Sequence, residues 1–588
     1  MNLMPSFMRK NFLFKDKNVV LLIVILVAAF LIRTVYLNQV PPGIANDEIN
    51  IIINAQSFLK TGENIPGVVT GIFGTPKGDL NGGIHSEVSS YLLMPFIALT
   101  GFVWPWVKLP FVFAGLGIVT LSFLIVRKLI NTNAAVIASV VSALSPWTIF
   151  YGRSGYESIL SSFFYLLGIY LVLSLKKWRI LYAFPIFLLG MGSYFSAKTL
   201  MLPIIIVAVI SVMLLKPKES KIPGVSLIII AVLFMALYLP ILKNTPAGSR
   251  FDELSNTKIV DLVNIKRTAA LEQPAANLYE NKIAEDLKYR IKASFGGFSL
   301  SYLFLDGQPE NIPSLAIPDH AFLYLIDLPF ILLGCFFLAK FYPKVLFLIG
   351  GLLTTTLIPN SLNLQGTTYS IRTVILFPVL SMVSAIGIYY VISLFKNSSW
   401  RYGTGLFISL IYLIFVGNFI FQYFGRLPVD RNEGWFLPQR TAFRYATLMN
   451  NQSPATVVNI ISQETKPDFY RYLLFSASYT EKSKIANINQ QIENQDYSAN
   501  NVRITGNCPD LFDPNQIYLI DGRIDCTSEK VREIASIKDA GTKFRIVNDQ
   551  LCKNSDSQKY PFVKDINKLN VESLSVDDFC QTFVTFNR

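Results

Sequence analysis

Between residues 19 and 424 the apolar positions of this chain run in long blocks instead of alternating with polar ones. Crossing a hydrocarbon core takes roughly 20 such residues as a helix. Blocks of this kind fall at Val19–Leu37, Pro105–Arg127, Ala134–Tyr151, Ile159–Leu175, Ile180–Ser196, Leu200–Leu215 and Val225–Leu242. Four more follow at Ala321–Leu338, Val345–Ile358, Thr373–Phe395 and Thr404–Phe424. The pattern predicts a mainly α, polytopic membrane protein of about 11 transmembrane helices, each satisfying its own backbone as lipid requires. From about Gly425 the pattern turns polar. Short runs such as ATVVNII and NQIYLI, separated by Asn, Asp and Pro, predict strands of a small α/β domain over 425–588.

Charge gives the blocks a direction. The clusters Arg9/Lys10/Lys15/Lys17, Arg127/Lys128, Lys176/Lys177/Arg179, Lys216/Lys218/Lys221, Lys340/Lys344 and Lys396/Arg401 belong in the cytoplasm by the positive-inside rule. They alternate correctly only if the short stretch Tyr91–Gly101, with Pro95 inside it, does not cross. That stretch is therefore expected to be a helix lying in the outer interface. The N-terminus is then cytoplasmic. The outer face receives the loops 38–104, 152–158 and 243–320, turns at Lys198 and before Arg372, and the C-terminal domain. The basic N-terminus and the apolar run after it, without a small-residue cleavage pattern, read as a retained first helix of a multi-pass plasma-membrane protein.

Composition agrees: 52% of the 588 residues are hydrophobic, 15% are charged, and the mean hydropathy is +0.42. The net charge of +13 lies in clusters beside apolar blocks, with no basic face or nucleic-acid motif, which argues against nucleic-acid binding. Four of five cysteines, Cys508, Cys526, Cys552 and Cys580, fall in the outer domain, and Cys335 lies in a membrane block. Two disulfides are expected, with three pairings open. Zinc is disfavoured by the lack of a CxxC spacing and by only two histidines.

The candidate chemistry sits at the outer edge. Asp47 and Glu48 are adjacent in the first outer loop, QVPPGIANDEINI. Alone they could simply open a helix, with Asn46 or Asp47 as its cap. Three cations change that weighing. Arg153 lies beside Glu157 in SPWTIFYGRSGYES, Lys198 follows Tyr194 in GSYFSAKTLMLP, and Arg372 stands in TTYSIRTVILFP. Each occupies an outer mouth, where the charge rule disfavours Lys and Arg. Carboxylates facing cations at one membrane edge suit attack by an acceptor hydroxyl on a sugar carbon, with a phosphate leaving. A polyprenyl-phosphate sugar has its tail in the bilayer and its sugar at this level.

The stretches RTVYLNQVPPGIANDE, HSEVSSYLLMPFIALTG and SPWTIFYGRSGYES resemble membrane glycosyltransferases of the GT-C fold. They are nearest to the family-39 type, which includes protein O-mannosyltransferases and the aminoarabinose transferase of lipid A. The resemblance covers about residues 19–424. It implies that Asp47 is the catalytic base and Glu48 its supporting acid. It places Lys198 and Arg372 toward the donor phosphate and Arg153 and Glu157 in the second outer loop of the site, and Arg153 is expected at the phosphate with the other two cations. It also implies interfacial helices in the first outer loop. SRFDELSN (249–256) and YLFLDGQPENIPSL (302–315) resemble the long outer loop of prokaryotic members. The stretch NGGIHSEVSSYL departs from the family's HPPL-like run: His85 stands at the histidine, but Ser86 and Glu87 replace the prolines, on the acceptor side. Asp327, near the outer end of a span, reads as structural.

No cofactor is required. Outer acids could hold Mg²⁺ or Mn²⁺, but no spacing demands it, and the resemblance implies metal-independent transfer. The expectation is a hexosyl- or pentosyltransferase with a polyprenyl-phosphate donor and a lipid, glycan or protein acceptor on the extracytoplasmic face. It would work by inverting displacement, with Tyr194, Glu157 and His85 in the substrate pocket. The alternatives are a flippase of lipid-linked sugars, which calls for broken helices, midplane polar groups and repeated halves, and a non-catalytic assembly protein.

Overall fold

A computed structural model describes residues 17–65, 87–243, 257–269, 271, 276–309, 312–361, 368–476, 481–526, 532–534, 543–553, 563 and 565–586. His85 and Ser249–Asn256 lie outside the described residues. Each of the eleven apolar blocks carries a helix. The first ten helices in chain order are α1 (Lys17–Thr34), α2 (Asn46–Thr61), α3 (Glu87–Thr100), α4 (Leu109–Leu129), α5 (Thr132–Leu144), α6 (Pro146–Arg153), α7 (Ser158–Ser174), α8 (Ala183–Ser193), α9 (Met201–Leu215) and α10 (Pro217–Lys243). The later blocks form Asp327–Phe341, Pro343–Thr355, Leu376–Ser393 and Ser398–Ile420. By length and composition six of the described helices can cross a membrane, or seven if the bent pair α5–α6 is one span.

That pair departs from the single helix expected over Ala134–Tyr151. The chain bends by 51° at Ser145, which is extended (φ −60°, ψ 127°), and restarts with Pro146 at the first helical position. A break at membrane depth leaves carbonyls that water cannot reach. Side chains satisfy them here. Thr148 Oγ donates to the Ser142 carbonyl (2.6 Å), Arg33 Nη1 to that of Ala143 (3.2 Å), and the Tyr324 hydroxyl to that of Leu144 (2.7 Å). The block Ala321–Leu338 becomes helical only at Asp327, whose buried carboxylate accepts from the Tyr324 amide (3.0 Å), Ser384 (2.6 Å) and Tyr412. Its structural role is plain. Gly387 lies so close to the facing helix that a β-carbon there would run into the Phe330 carbonyl oxygen. Small residues permit this backbone approach in membranes, where no hydrophobic effect drives helices together.

The C-terminal region forms a seven-stranded mixed sheet. Its strands are β1 (Val458–Ile461), β2 (Tyr497–Ala499), β3 (Val502–Thr505), β4 (Ile517–Asp521), β5 (Arg532–Ile534), β6 (Phe544–Val547) and β7 (Val584–Phe586), in the order β2-β3-β1-β4-β6-β5-β7. β1 pairs in parallel with β3 and β4, and the remaining pairs are antiparallel. The parallel centre requires a covering crossover, supplied by the helices Thr465–Ser476 and Lys482–Glu493. Of the three open pairings, the disulfides are Cys508–Cys526 and Cys552–Cys580.

Candidate active site

α2 begins the site. Ala45 occupies its N-cap without a side-chain cap, so neither Asn46 nor Asp47 is the cap. Asp47 and Glu48 instead lie in the first turn, where the helix dipole favours negative charge. Neighbours on a helix point about 100° apart, and the two acids separate accordingly. Asp47 is exposed, and Glu48 is fully buried. The adjacent pair is two devices.

Glu48 is held behind the opening. Its carboxylate lies 3.6 Å from the Lys108 ammonium, and both side chains are fully buried. Lys108 also sits 4.3 Å from the Trp104 ring centroid and 5.8 Å from that of Trp435. Burial pushes the Glu48 carboxyl up to about 7, with Lys108 pulling the other way. A β-carbon on Gly155 would come within 3.1 Å of Glu48 Cβ, so any larger residue there would have to push the acid or the loop aside.

Asp47 belongs to another cluster. The charges of Asp47, Glu157 and Arg372 all act on the Tyr194 hydroxyl, and that of Glu157 acts on Lys198. Glu157, Tyr194 and Lys198 are buried, at 4%, 9% and 4% exposure, at the mouths of α7, α8 and α9. Lys198 Nζ donates to the Tyr238 hydroxyl of α10 (3.0 Å). Burial pushes its ammonium down to about 8, against Glu157. Arg372 is half-buried on the turn Ser370–Thr373, its guanidinium 4.5 Å from the Tyr369 ring centroid. Asp47 itself makes no hydrogen bond or ion pair among the described residues. Asp47 and Arg372 thus both act on Tyr194, and Glu157 acts on Tyr194 and on Lys198.

Arg153, expected at the phosphate, is held by the backbone at and beyond the end of α1. Nη1 donates to the Ile32 carbonyl (2.8 Å), and Nη2 to those of Tyr36 (3.0 Å) and Val40 (2.8 Å). These carbonyls lie at and beyond the end of α1, where helical partners run out. Both terminal nitrogens are committed to the fold.

The first outer loop is also roofed over, which the sequence did not predict. Residues 48–58 of α2 are all buried, so α2 is not an open interfacial helix. The C-terminal domain covers it. Arg440 Nη1 donates to the carbonyls of Asn38 (2.9 Å) and Pro42 (2.7 Å) while its Nε binds Glu572 (2.8 Å). Arg471 binds Asp468 (2.5 Å) and the Asn46 carboxamide. α3 lies beside α2, with Tyr91 stacked on Phe58 (4.6 Å), and Ser89 Oγ donates to the Ser193 carbonyl at the end of α8 (2.6 Å). Sequence reading missed Lys108, although its signal matched that of Lys198, a lysine at the outer mouth of an apolar block (WPWVKLP). Among the described residues no group of three or more His, Cys, Asp and Glu side chains could hold a metal.

Fold and site together define a polytopic membrane protein with buried Glu157, Tyr194 and Lys198 at helix mouths and a folded α/β domain packed over α2. Among solved structures the chain is similar to an oligosaccharyltransferase of Archaeoglobus fulgidus tethered with an acceptor peptide. That match has 11% identity and a TM-score of 0.46 over 79% of this chain and 64% of that one, so the chain spans less than two thirds of its length. It is also similar to ArnT of Cupriavidus metallidurans. The apo state matches at 9% identity and the form bound to undecaprenyl phosphate at 10%, both with a TM-score of 0.44 over 90% of this chain and 98% of that one. At these scores the likeness carries no argument for function. No family model and no curated protein matches the chain.

Proposed function

We propose that this protein is an integral membrane glycosyltransferase that takes a hexosyl or pentosyl group from a polyprenyl-phosphate donor and passes it to a hydroxyl-bearing acceptor on the extracytoplasmic face. The observation that carries this reading is that the charges of Asp47, Glu157 and Arg372 act on Tyr194, and that of Glu157 on Lys198, close to the ends of apolar helices. Asp47 takes the proton of the acceptor hydroxyl as its oxygen attacks the sugar's anomeric carbon. The bond from that carbon to the phosphate oxygen breaks, and its electron pair leaves with the polyprenyl phosphate. Lys198 and Arg372 stabilise the added negative charge. Attack opposite the leaving group inverts the anomeric carbon. Glu157 and Tyr194 line the space between base and cations. Glu48 acts through position: paired with Lys108, it fixes the first turn of α2 and hence Asp47.

The test is incubation of the purified protein with a panel of polyprenyl-phosphate sugars, following release of the lipid phosphate. Wild type releases it with at least one donor and acceptor. Asp47→Asn keeps its melting temperature and loses turnover by about 10²–10⁴-fold, the usual contribution of a positioned base. A flippase would translocate donor without release, and an assembly protein would be indifferent to Asp47→Asn; either outcome sinks the transferase.

A further inference from the structure

Outside the spans, exposed large apolar side chains gather between α10 and the helix Asp327–Phe341. The helix Lys282–Gly296 shows Ile283 (80% exposed), Leu287 (56%), Ile291 (49%) and Phe295 (59%). Side chains four apart on a helix drift only about 40° per step, so these four make one stripe. Glu285 and Ala293, on the other side, are buried. Lys282, Lys288 and Lys292 are exposed along the helix. Lys288 is held by Glu285 (2.8 Å), while Lys282 and Lys292 have no acid partner among the described residues. A contiguous exposed stripe of this size needs a cover.

Its position says which. Arg290 Nη1 donates to the Ser361 carbonyl (3.2 Å), the last residue of the candidate span Pro343–Ser361. Thr368 Oγ donates to the Ala293 carbonyl (3.2 Å). The helix is thereby tied to the end of a membrane span, at headgroup level. Its four basic and two acidic residues leave it cationic, as suits an anionic leaflet.

We propose that Lys282–Gly296 lies flat in the headgroup layer of an anionic leaflet, with Ile283, Leu287, Ile291 and Phe295 in the acyl boundary and Lys282 and Lys292 on the headgroups. The same helix reaches the candidate site. The Thr368 carbonyl accepts from Gln308 Nε2 (3.1 Å), and Gln308 Oε1 accepts from the Ser370 amide (2.7 Å), on the turn that carries Arg372. The lipid-seated helix is thus a lip beside Arg372. This inference needs a membrane but not the transferase reading.

The full-length protein in a Cys335→Ser background tests it, in nanodiscs of phosphatidylcholine and phosphatidylglycerol. Nitroxides are placed singly at Ile283→Cys, Leu287→Cys, Ile291→Cys and Phe295→Cys. At all four, collisions with oxygen are expected to exceed those with a water-soluble nickel chelate, the reverse of a label on Leu511, which is 87% exposed in the C-terminal domain. Chelate dominance at the four positions overturns the proposal and leaves the stripe to a protein partner. The unmodified protein gives a second reading through amide exchange over residues 283–296. Exchange slows about fivefold on moving from pure phosphatidylcholine to anionic discs, the factor for one lysine–headgroup contact. Equal rates overturn the headgroup assignment.

Discussion

At one end of the bundle Lys216 donates to the Leu173 carbonyl (2.8 Å) and Lys344 to the Leu214 carbonyl (2.8 Å). Each caps the last turn of α7 or α9, where the helix dipole welcomes a cation and where water remains within reach. At the other end Lys108 and Lys198 are buried, at 0% and 4% exposure, beside carboxylates and aromatic rings. A lysine at the first end costs little to place and contributes little. Burying one at the second end carries a desolvation penalty of several kcal/mol, offset only by well-placed partners. The contrast separates charge that orients and caps from charge that is kept for a task.

The sharpest way to break this contrast is to remove one partner from the buried pair. Lys108→Met should lower folding stability by about 3–5 kcal/mol by stranding the Glu48 carboxylate, read as a drop in melting temperature. Glu48→Gln combined with Lys108→Met should recover most of that loss, and a non-additive cycle would establish the coupling. The two arginines come next. Arg372→Ala should cost on the order of 10²-fold in kcat/KM for the donor with little change in stability. Arg153→Gln should cost about 3 kcal/mol of stability, the worth of charged hydrogen bonds to buried carbonyls, and leave the donor KM of the folded fraction unchanged. A smaller effect concerns pH. In the proposed reaction Lys198 holds the phosphate only when protonated, and burial brings its proton loss down to about 8. Donor kcat/KM should therefore hold below pH 8 and fall about tenfold per unit above it. Lys198→Arg should move that descending limb upward. Smallest of all, Lys344→Ala should change stability by less than about 1 kcal/mol.

How much of this could be read from the sequence depended on how far apart the interacting residues lie. Hydropathy located every helical block, because a span is satisfied within itself. The break at Ser145–Pro146 was only half legible: Pro146 marks it, but the partners that make it tolerable, Arg33 and Tyr324, come from distant segments. Charge parity singled out Lys198 and Arg372 as cations against the trend. The same reasoning selected Arg153, and could not tell a guanidinium spent on three carbonyls from one left for a ligand. The separation of Asp47 from Glu48 follows from helix geometry once α2 is known to start at Asn46. The burial of α2 does not, since its cover comes from the distant helices Thr465–Ser476, which carries Arg471, and Lys482–Glu493. The disulfide pairing was equally closed to sequence reasoning.

That roof has a consequence for biogenesis. Arg440, braced by Glu572, and Arg471 grip residues 38–46, so the loop after α1 is locked by side chains that follow it by 398 to 425 positions in the chain. A truncated polypeptide lacking them would insert its hairpins yet leave residues 38–46 without their clamp. On the proposed reading, the mouth near Asp47 would be complete only once the C-terminal domain has folded over it.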